Sequence, residues 1–491
     1  MALRICFVAA ETAPFAKAGG LADVAGALGK YLYAGGHDIR LFLPLYRSIR
    51  NAHPQLQPVP QLQNLGVQLG PYNYGFSVAL LPLPGSKTPV YLIDCPACYD
   101  RDSIYTTDPD EHRRFLVLTH AAFICCQYLS FAPHIMHFND WHTAVGSLLL
   151  RGPYLWDRLF ESSRSVLTLH NVGYQGIINA GAAPEVLVGA PLTMLDQPDL
   201  AAGRINLLRT GLMHTDLITT VSPTYAREIQ TPEYGMGLQA LLTARSDRLV
   251  GILNGVDYEV WDPRRDSYLP RHYGTTRLRV KESLKQELLQ RLGLKTVPGA
   301  RTPLIGMVSR LVSQKGFDLV AEALPPLMQR REFCVIAVGS GEPQFEQLFA
   351  ALARAYPERV CFYSGYSDEF AHWAEAASDM FLMPSRYEPC GLNQMYSLRY
   401  GTVPIVRRTG GLADSVQPFD MASREGTGFL FDDYTAQALS RVLEEALDLY
   451  QREEYWLRLM RNGMGKDFSW QTQVQRYLEA YQAILPAPVP G

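Results

Sequence analysis

The order strand, glycine-rich loop, helix, strand opens this chain, and its first elements recur near residue 304. Residues 3–9 are an apolar, β-prone run. A glycine-rich turn follows, then helical spacing over 21–35 and a second apolar run at 38–44. Adjacent parallel strands need a crossover, and a helix is its usual form. This order therefore predicts a Rossmann-like parallel sheet. Further strands are predicted at 89–93, 134–138, 165–169 and 217–221. The pattern restarts after Asn254-Gly255-Val256-Asp257. Residues 261–274, rich in Pro, Arg and Tyr, have no clear period and read as a linker. A helix with Leu284, Leu288, Leu289 and Leu292 on one face ends at Gly293. A new strand at 304–309 then leads into the loop 310–316, with strands at 333–338, 360–363, 380–383 and 403–406. Val474, Tyr477, Leu478 and Tyr481 mark a last helix by their spacing.

A chain of 491 residues exceeds one ordinary core. We expect an α/β protein with two Rossmann-like domains in tandem, residues 1–255 and 256–465. The second includes the linker 256–278, and the helix within 466–491 is expected to pack back toward the first. Gly19-Gly20-Leu21-Ala22-Asp23 recurs as Gly410-Gly411-Leu412-Ala413-Asp414, each time before a predicted helix. Two such sheets facing each other would enclose a deep cleft at the carboxyl ends of their strands, where open α/β sheets bind ligands.

Charge excludes some partners. With 45 basic and 48 acidic residues, the net charge of −3 offers no electrostatic footprint for nucleic acid. The most apolar stretch, 115–129, is broken by Thr119, His120 and Gln127 and falls short of the ~18 residues of a membrane span. The run at 5–10 meets Glu11 at once, too early for a secretory segment. A cytoplasmic protein with no membrane partner is expected. Its eight cysteines then read as reduced thiols. Cys95-Pro-Ala-Cys98 has the spacing of half a zinc site, but no second pair completes it.

Polar motifs cluster at the predicted strand ends. Lys17-Ala18-Gly19-Gly20-Leu21-Ala22-Asp23-Val24 combines a cation, two glycines and a helix start. Such a loop admits a phosphate to bare backbone N–H groups. It serves equally as a tight turn in which Asp23 complements the helix N-terminus. In His137-Phe138-Asn139-Asp140-Trp141-His142, Asp140 is either a cleft carboxylate or a helix cap beside a core Trp. His170-Asn171-Val172-Gly173-Tyr174-Gln175-Gly176 is polar enough to recognise hydroxyls. Arg310 and Lys315, in Arg310-Leu311-Val312-Ser313-Gln314-Lys315-Gly316, are placed to grip a diphosphate or are simply solvated. Pro384-Ser385-Arg386-Tyr387-Glu388-Pro389-Cys390-Gly391-Leu392 offers Glu388 to a sugar or to a helix N-terminus. Asp108-Pro109-Asp110 resembles a metal-binding DxD, but no strand precedes it, and a surface loop is the better reading.

Together these motifs resemble the bacterial glycogen synthase and plant starch synthase family, along essentially the whole chain. Asn254-Gly255-Val256-Asp257 and Arg407-Arg408-Thr409-Gly410-Gly411 add to the match. The resemblance implies the GT-B fold and retaining transfer of glucose from ADP-glucose to the non-reducing end of an α-1,4-glucan. It implies that Lys17 and the Gly19-Gly20 backbone hold the donor diphosphate, with Asp23 nearby, while Arg310 and Lys315 clamp it from the other domain. Tyr366 would lie against the adenine. His170 would bond the glucose 6-hydroxyl beside Asn171, Asp140 would lie by the reacting sugar, and Glu388 would take ring hydroxyls with help from the Cys390-Gly391-Leu392 backbone. No metal or organic cofactor is implied. The family is expected to carry Thr at Ala18 and Pro at Gly29.

The family has no firm enzyme nucleophile, and a front-face mechanism is its usual proposal. An α-glucan phosphorylase would instead need pyridoxal phosphate on a lysine. A non-catalytic glucan-binding paralogue is the other alternative. Tyr72, Tyr74, Phe76, Trp141 and Trp156 are candidates for stacking on glucan or for ordinary packing.

Overall fold

The apolar runs become strands buried on both faces, which is why they read as continuous rather than alternating. The computed structural model describes residues 2–295 and 301–486. The first sheet begins with β1 (Arg4–Val8), β2 (Asp38–Pro44), β3 (Gln57–Pro58), β4 (Leu65–Leu69), β5 (Tyr72–Pro82) and β6 (Pro89–Asp94). It continues with β7 (Ile135–Asn139) and β8 (Arg164–Leu169). A separate antiparallel pair, β9 (Ile177–Asn179) and β10 (Arg204–Asn206), precedes β11 (Leu217–Thr220) and β12 (Leu249–Gly251). The sheet order is β12-β11-β8-β7-β1-β2-β6-β5-β3, with β4 on the free part of β5. All pairs from β12 to β6 are parallel, and β5 runs antiparallel to β6, β3 and β4. From β1 the order grows one way through β2 and the other way through β7. The loops after β1 and β7 therefore leave the sheet at its topological switch point.

By its internal contacts the chain forms two compact units. The first holds β1 through Val221, Ala226–Ile252 and the helix Trp470–Ile484. That last helix is tied in by a buried polar chain. His137 Nδ1 shares a hydrogen bond with Tyr481 Oη at 2.7 Å, and His137 Nε2 with Thr168 Oγ1 at 2.6 Å. Thr168 in turn meets Thr219 at 2.6 Å. Burial lowers the His137 pKa to about 3, so the ring is neutral and can relay one donor and one acceptor.

The second unit holds Ser222–Tyr225 and Leu253–Ser469. Its strands are β13 (Leu304–Val308), β14 (Cys334–Gly339), β15 (Val360–Ser364), β16 (Met380–Met383), β17 (Val403–Arg407) and β18 (Phe429–Phe431). They are parallel throughout, in the order β15-β14-β13-β16-β17-β18. Here the switch point lies between β13 and β16.

The stretch 256–278 is not a free linker. Trp261 lies between His372 (3.7 Å, 10°) and Tyr396 (4.0 Å, 2°). Asp262 is paired with Arg264 at 2.7 Å and Arg399 at 2.6 Å. Asp266 accepts from Tyr400 Oη at 2.6 Å and pairs with His372 at 2.8 Å. The segment is aperiodic because it is fitted to the helices Asp368–Ala377 and Asn393–Tyr400 rather than to a strand or helix period. No helix among the described residues is long and apolar enough to cross a membrane.

Candidate active site

In the first unit, the loop after β1 brings Lys17 to the start of the helix Gly20–Ala34. Lys17 Nζ lies 2.7 Å from Asp23 Oδ1, and burial raises the Asp23 pKa against that attraction. The N–H groups of Ala18 and Gly19 are occupied. Both donate to Glu11 Oε2, at 2.5 and 2.8 Å. The backbone donors left to a ligand therefore begin at Gly20, in the helix's unpaired first turn, and not at Gly19. Sequence reasoning missed Glu11 altogether.

Asp140 follows β7 with φ +51°, a left-handed backbone that costs a non-glycine residue free energy. The turn aims its carboxylate at the next strand end. Oδ1 accepts from His170 N at 2.7 Å and more weakly from Asn171 N at 3.4 Å. Burial raises the Asp140 pKa to about 7, while those two N–H groups oppose the rise. His170 Nε2 lies 3.0 Å from Asn139 Oδ1, and burial lowers the ring's pKa to about 3. A neutral imidazole suits a sugar hydroxyl. Asn171 Oδ1 accepts from Gly173 N at 2.9 Å, and Gln175 Nε2 donates to Val172 O and Met236 O. Gly176 has φ +59°, and a Cβ there would lie 2.3 Å from the Trp141 ring. Trp141 is thus committed to packing under this loop. Tyr174, Ile177 and Met236 are exposed apolar side chains around it. Gly235-Met236-Gly237, a lone apolar residue between glycines, was the sequence signal overlooked for the last of them.

The remaining stacking candidates divide by exposure. Phe76 is core, Tyr72 carries the Arg113 guanidinium 3.7 Å from its ring centre, and Trp156 is 76% exposed. The Asp108/Asp110 loop is braced internally. Arg101 pairs with both carboxylates, which matches the surface-loop reading. Cys95 and Cys98 are buried, and Cys98 N donates to Cys95 O at 2.9 Å. Among the described residues, no group of three or more His, Cys, Asp or Glu is arranged to hold a metal ion.

In the second unit the key loops leave β13 and β16, the two strands flanking the switch point. Lys315 Nζ lies 2.5 Å from Glu388 Oε2, which also accepts from Ser385 Oγ at 3.1 Å. Glu388 is only 5% exposed, so Lys315 offsets the charge of a buried carboxylate. Arg310 is exposed, and its guanidinium has no partner among the described residues. Glycines force the loops together. Gly316 has φ +75°, and a Cβ there would meet Pro384 O at 2.0 Å. Gly410 has φ +44°, and its Cβ would meet Glu388 O at 1.9 Å; a Cβ on Gly411 would meet Cys390 O at 2.1 Å. The repeated GGLAD pentapeptide is thus used differently in the two units. In the second, its glycines hold the Glu388 loop and Asp414 accepts from Thr224 N and Oγ1. Cys390 is buried and its thiol is pushed up to about 12, while Gly391 turns the chain at φ +73° before Leu392 starts the helix Asn393–Tyr400. Tyr366, after β15, is 64% exposed and donates to Asp368 Oδ1 at 2.6 Å.

Comparison with known proteins gives this geometry its family. A sequence-family model described as "Starch synthase catalytic domain" matches residues 4–244, and one described as "Glycosyl transferases group 1" matches 295–461. A glycogen synthase of Koribacter versatilis is 39% identical, covering 99% of this chain and 100% of its own. A glycogen synthase of Anaeromyxobacter dehalogenans is 43% identical over the same shares. The chain belongs to the glycogen synthase and starch synthase family. Among solved structures, the catalytic domain of Arabidopsis thaliana starch synthase IV, bound to ADP and acarbose, superposes with TM-score 0.88 at 33% identity, over 99% of each chain. The sucrose-phosphate synthase of Thermosynechococcus elongatus, at 17% identity and TM-score 0.60, shares the fold. The fold is GT-B, and the chain is a glucosyltransferase.

Ala18 and Gly29, the two expected departures from the family pattern, differ in what surrounds them. Ala18 contributes its N–H to Glu11, which any non-proline residue can do. At Gly29 a Cβ would approach Leu41 Cδ1 at 2.8 Å and Leu83 Cδ1 at 2.9 Å, so those two leucines fill the space that a larger residue would take. The Glu388 loop is less forgiving. Gly410→Ala should lower stability by about 1–3 kcal/mol, because it adds a side chain at a left-handed position against Glu388 O. It should reduce turnover as well by displacing Glu388. Thermal unfolding and a kcat measurement check this, and a variant indistinguishable from wild type in both would refute it.

Proposed function

We propose that this glucosyltransferase takes glucose from ADP-glucose and adds it, with retention, to the non-reducing end of an α-1,4-glucan. The observation that carries the reading is the full-length likeness to a starch synthase bound to ADP and acarbose, a nucleoside diphosphate and a glucan-like oligosaccharide. The chemistry of the residues supports it. Breaking the bond between the anomeric carbon and phosphate oxygen leaves positive charge on the sugar and negative charge on the diphosphate. Arg310 and Lys315 supply preorganised positive charge for that leaving group, the work a metal ion does in other transferases. Lys315 would be shared between Glu388 and the diphosphate. Glu388 and the neutral His170 orient the ring through its hydroxyls. Asp140 stands by the reacting sugar, and Tyr366 offers its exposed face to the adenine. The acceptor hydroxyl attacks on the face that the diphosphate leaves, passing its proton to the departing phosphate oxygen. No organic cofactor enters.

The donor is tested by competition. ADP-glucose should be used with a higher kcat/KM than UDP-glucose when glycogen is the acceptor. Equal or better use of UDP-glucose would overturn the assignment.

A further inference from the structure

Glu11 is 3% exposed, and among the described residues no Lys, Arg or His pairs with it. A buried carboxylate without a cation is costly unless its lone pairs are taken. Here they are taken by two backbone N–H groups and one phenol. Oε2 accepts from Ala18 N and Gly19 N, at 2.5 and 2.8 Å, and Oε1 accepts from Tyr105 Oη. The carboxylate also sits at the positive end of the helix Gly20–Ala34. Tyr105 is itself held. Its ring stacks on His142 at 4.8 Å, and Arg101 braces the loop that carries it through Asp108 and Asp110. Arg47 secures the start of the same loop through Asp100 and Asp102. The Asp108-Pro109-Asp110 motif thus helps to carry Tyr105.

The two N–H groups that Glu11 holds lie between Lys17 and the first turn of the helix. Fixing them fixes where the Lys17 ammonium and the Gly20 N–H point. We propose that Glu11, locked by Tyr105, is the positioning residue of the donor-diphosphate loop. The proposal rests on the ADP-glucose reading above.

Its test is a set of variants assayed for donor and acceptor KM separately, with ADP binding measured by calorimetry. Glu11→Gln keeps an oxygen for both N–H groups and turns its amide toward Tyr105, whose hydroxyl can reverse to accept. Its donor KM should stay within about threefold of wild type. Glu11→Ala frees both N–H groups, and its donor KM should rise about tenfold or more with the acceptor KM unchanged. Tyr105→Phe should fall between them. Added to Glu11→Ala, it should cost little further, because the phenol acts through the carboxylate. A wild-type donor KM in Glu11→Ala overturns the proposal. So does a parallel rise in donor and acceptor KM, or a Tyr105→Phe effect that adds in full. If Glu11→Ala does not fold, Tyr105→Phe decides: a raised donor KM at wild-type melting temperature supports the pair, and an unchanged one refutes it. Wild-type protein that binds ADP but never turns over ADP-glucose would sink the functional reading alone. ADP affinities of the variants would still score Glu11.

Discussion

Arg310→Ala and Lys315→Ala should each lose about 10²–10³ in kcat, the usual cost of removing one well-placed donor to a developing charge. The structure separates the two variants. Arg310 is exposed and has no partner among the described residues, so its loss should leave the melting temperature unchanged. Lys315 is the cation beside buried Glu388, and its removal strands that carboxylate. Lys315→Ala should therefore also lose stability, up to about 3 kcal/mol for a pair that is partly open to solvent. The double variant should lose less kcat than the product of the singles if, as proposed, both side chains act on one diphosphate. Full additivity, or an Arg310→Ala enzyme with wild-type kcat, would remove the pair from the mechanism.

Asp140→Asn should trade activity for stability. Burial raises the Asp140 pKa to about 7, so the folded state keeps this proton where the unfolded chain has already released it. The unfolded carboxyl titrates near ~4. As pH rises between those values the folded state loses ground, and above the folded pKa the cost is constant. Asparagine carries no charge, and its oxygen can still accept from His170 N and Asn171 N. At about pH 8 the variant should be more stable than wild type, by up to about 4 kcal/mol, with the advantage fading toward about pH 4. Its kcat should fall by about 10²-fold or more if, as proposed, that charge stands next to the reacting sugar. Denaturant unfolding at the two pH values, with kinetics alongside, reads both halves. Equal stability at high pH would mean that Asp140 is not held against its ionisation. Unimpaired turnover would remove it from the reaction.

Much of the fold was legible because parallel strands buried on both faces leave unbroken apolar runs. Residues 38–44 and 380–383 coincide with strands β2 and β16, and the other strands predicted fall within a residue or two. The polar motifs were legible for the same reason, as abrupt changes of composition where a strand ends. What escaped the sequence was set by distance or by backbone. Tyr105 meets Glu11 across 94 positions, and no local pattern marks that pair. The β4–β5 hairpin was missed although Gly70, with φ +54°, marks its turn, because Gly66, Gln68, Asn73 and Gly75 interrupt the apolar residues of its two strands. The stretch 256–278 looked like a linker because it packs by individual fits such as Trp261 between two rings. The recurrence of GGLAD was real as sequence but did not signal a repeated use. One copy ends in a Lys17–Asp23 pair, the other buttresses Glu388.

The central claim is glucose transfer from ADP-glucose to glucan by a charge clamp that needs no metal. It is tested most directly by labelled ADP-glucose and glycogen incubated with wild-type enzyme in EDTA. The account predicts label in the polymer, released by an exo-hydrolase specific for α-1,4 links, at a rate that added Mg²⁺ does not change. No incorporation, or incorporation that appears only when Mg²⁺ is restored, would contradict it.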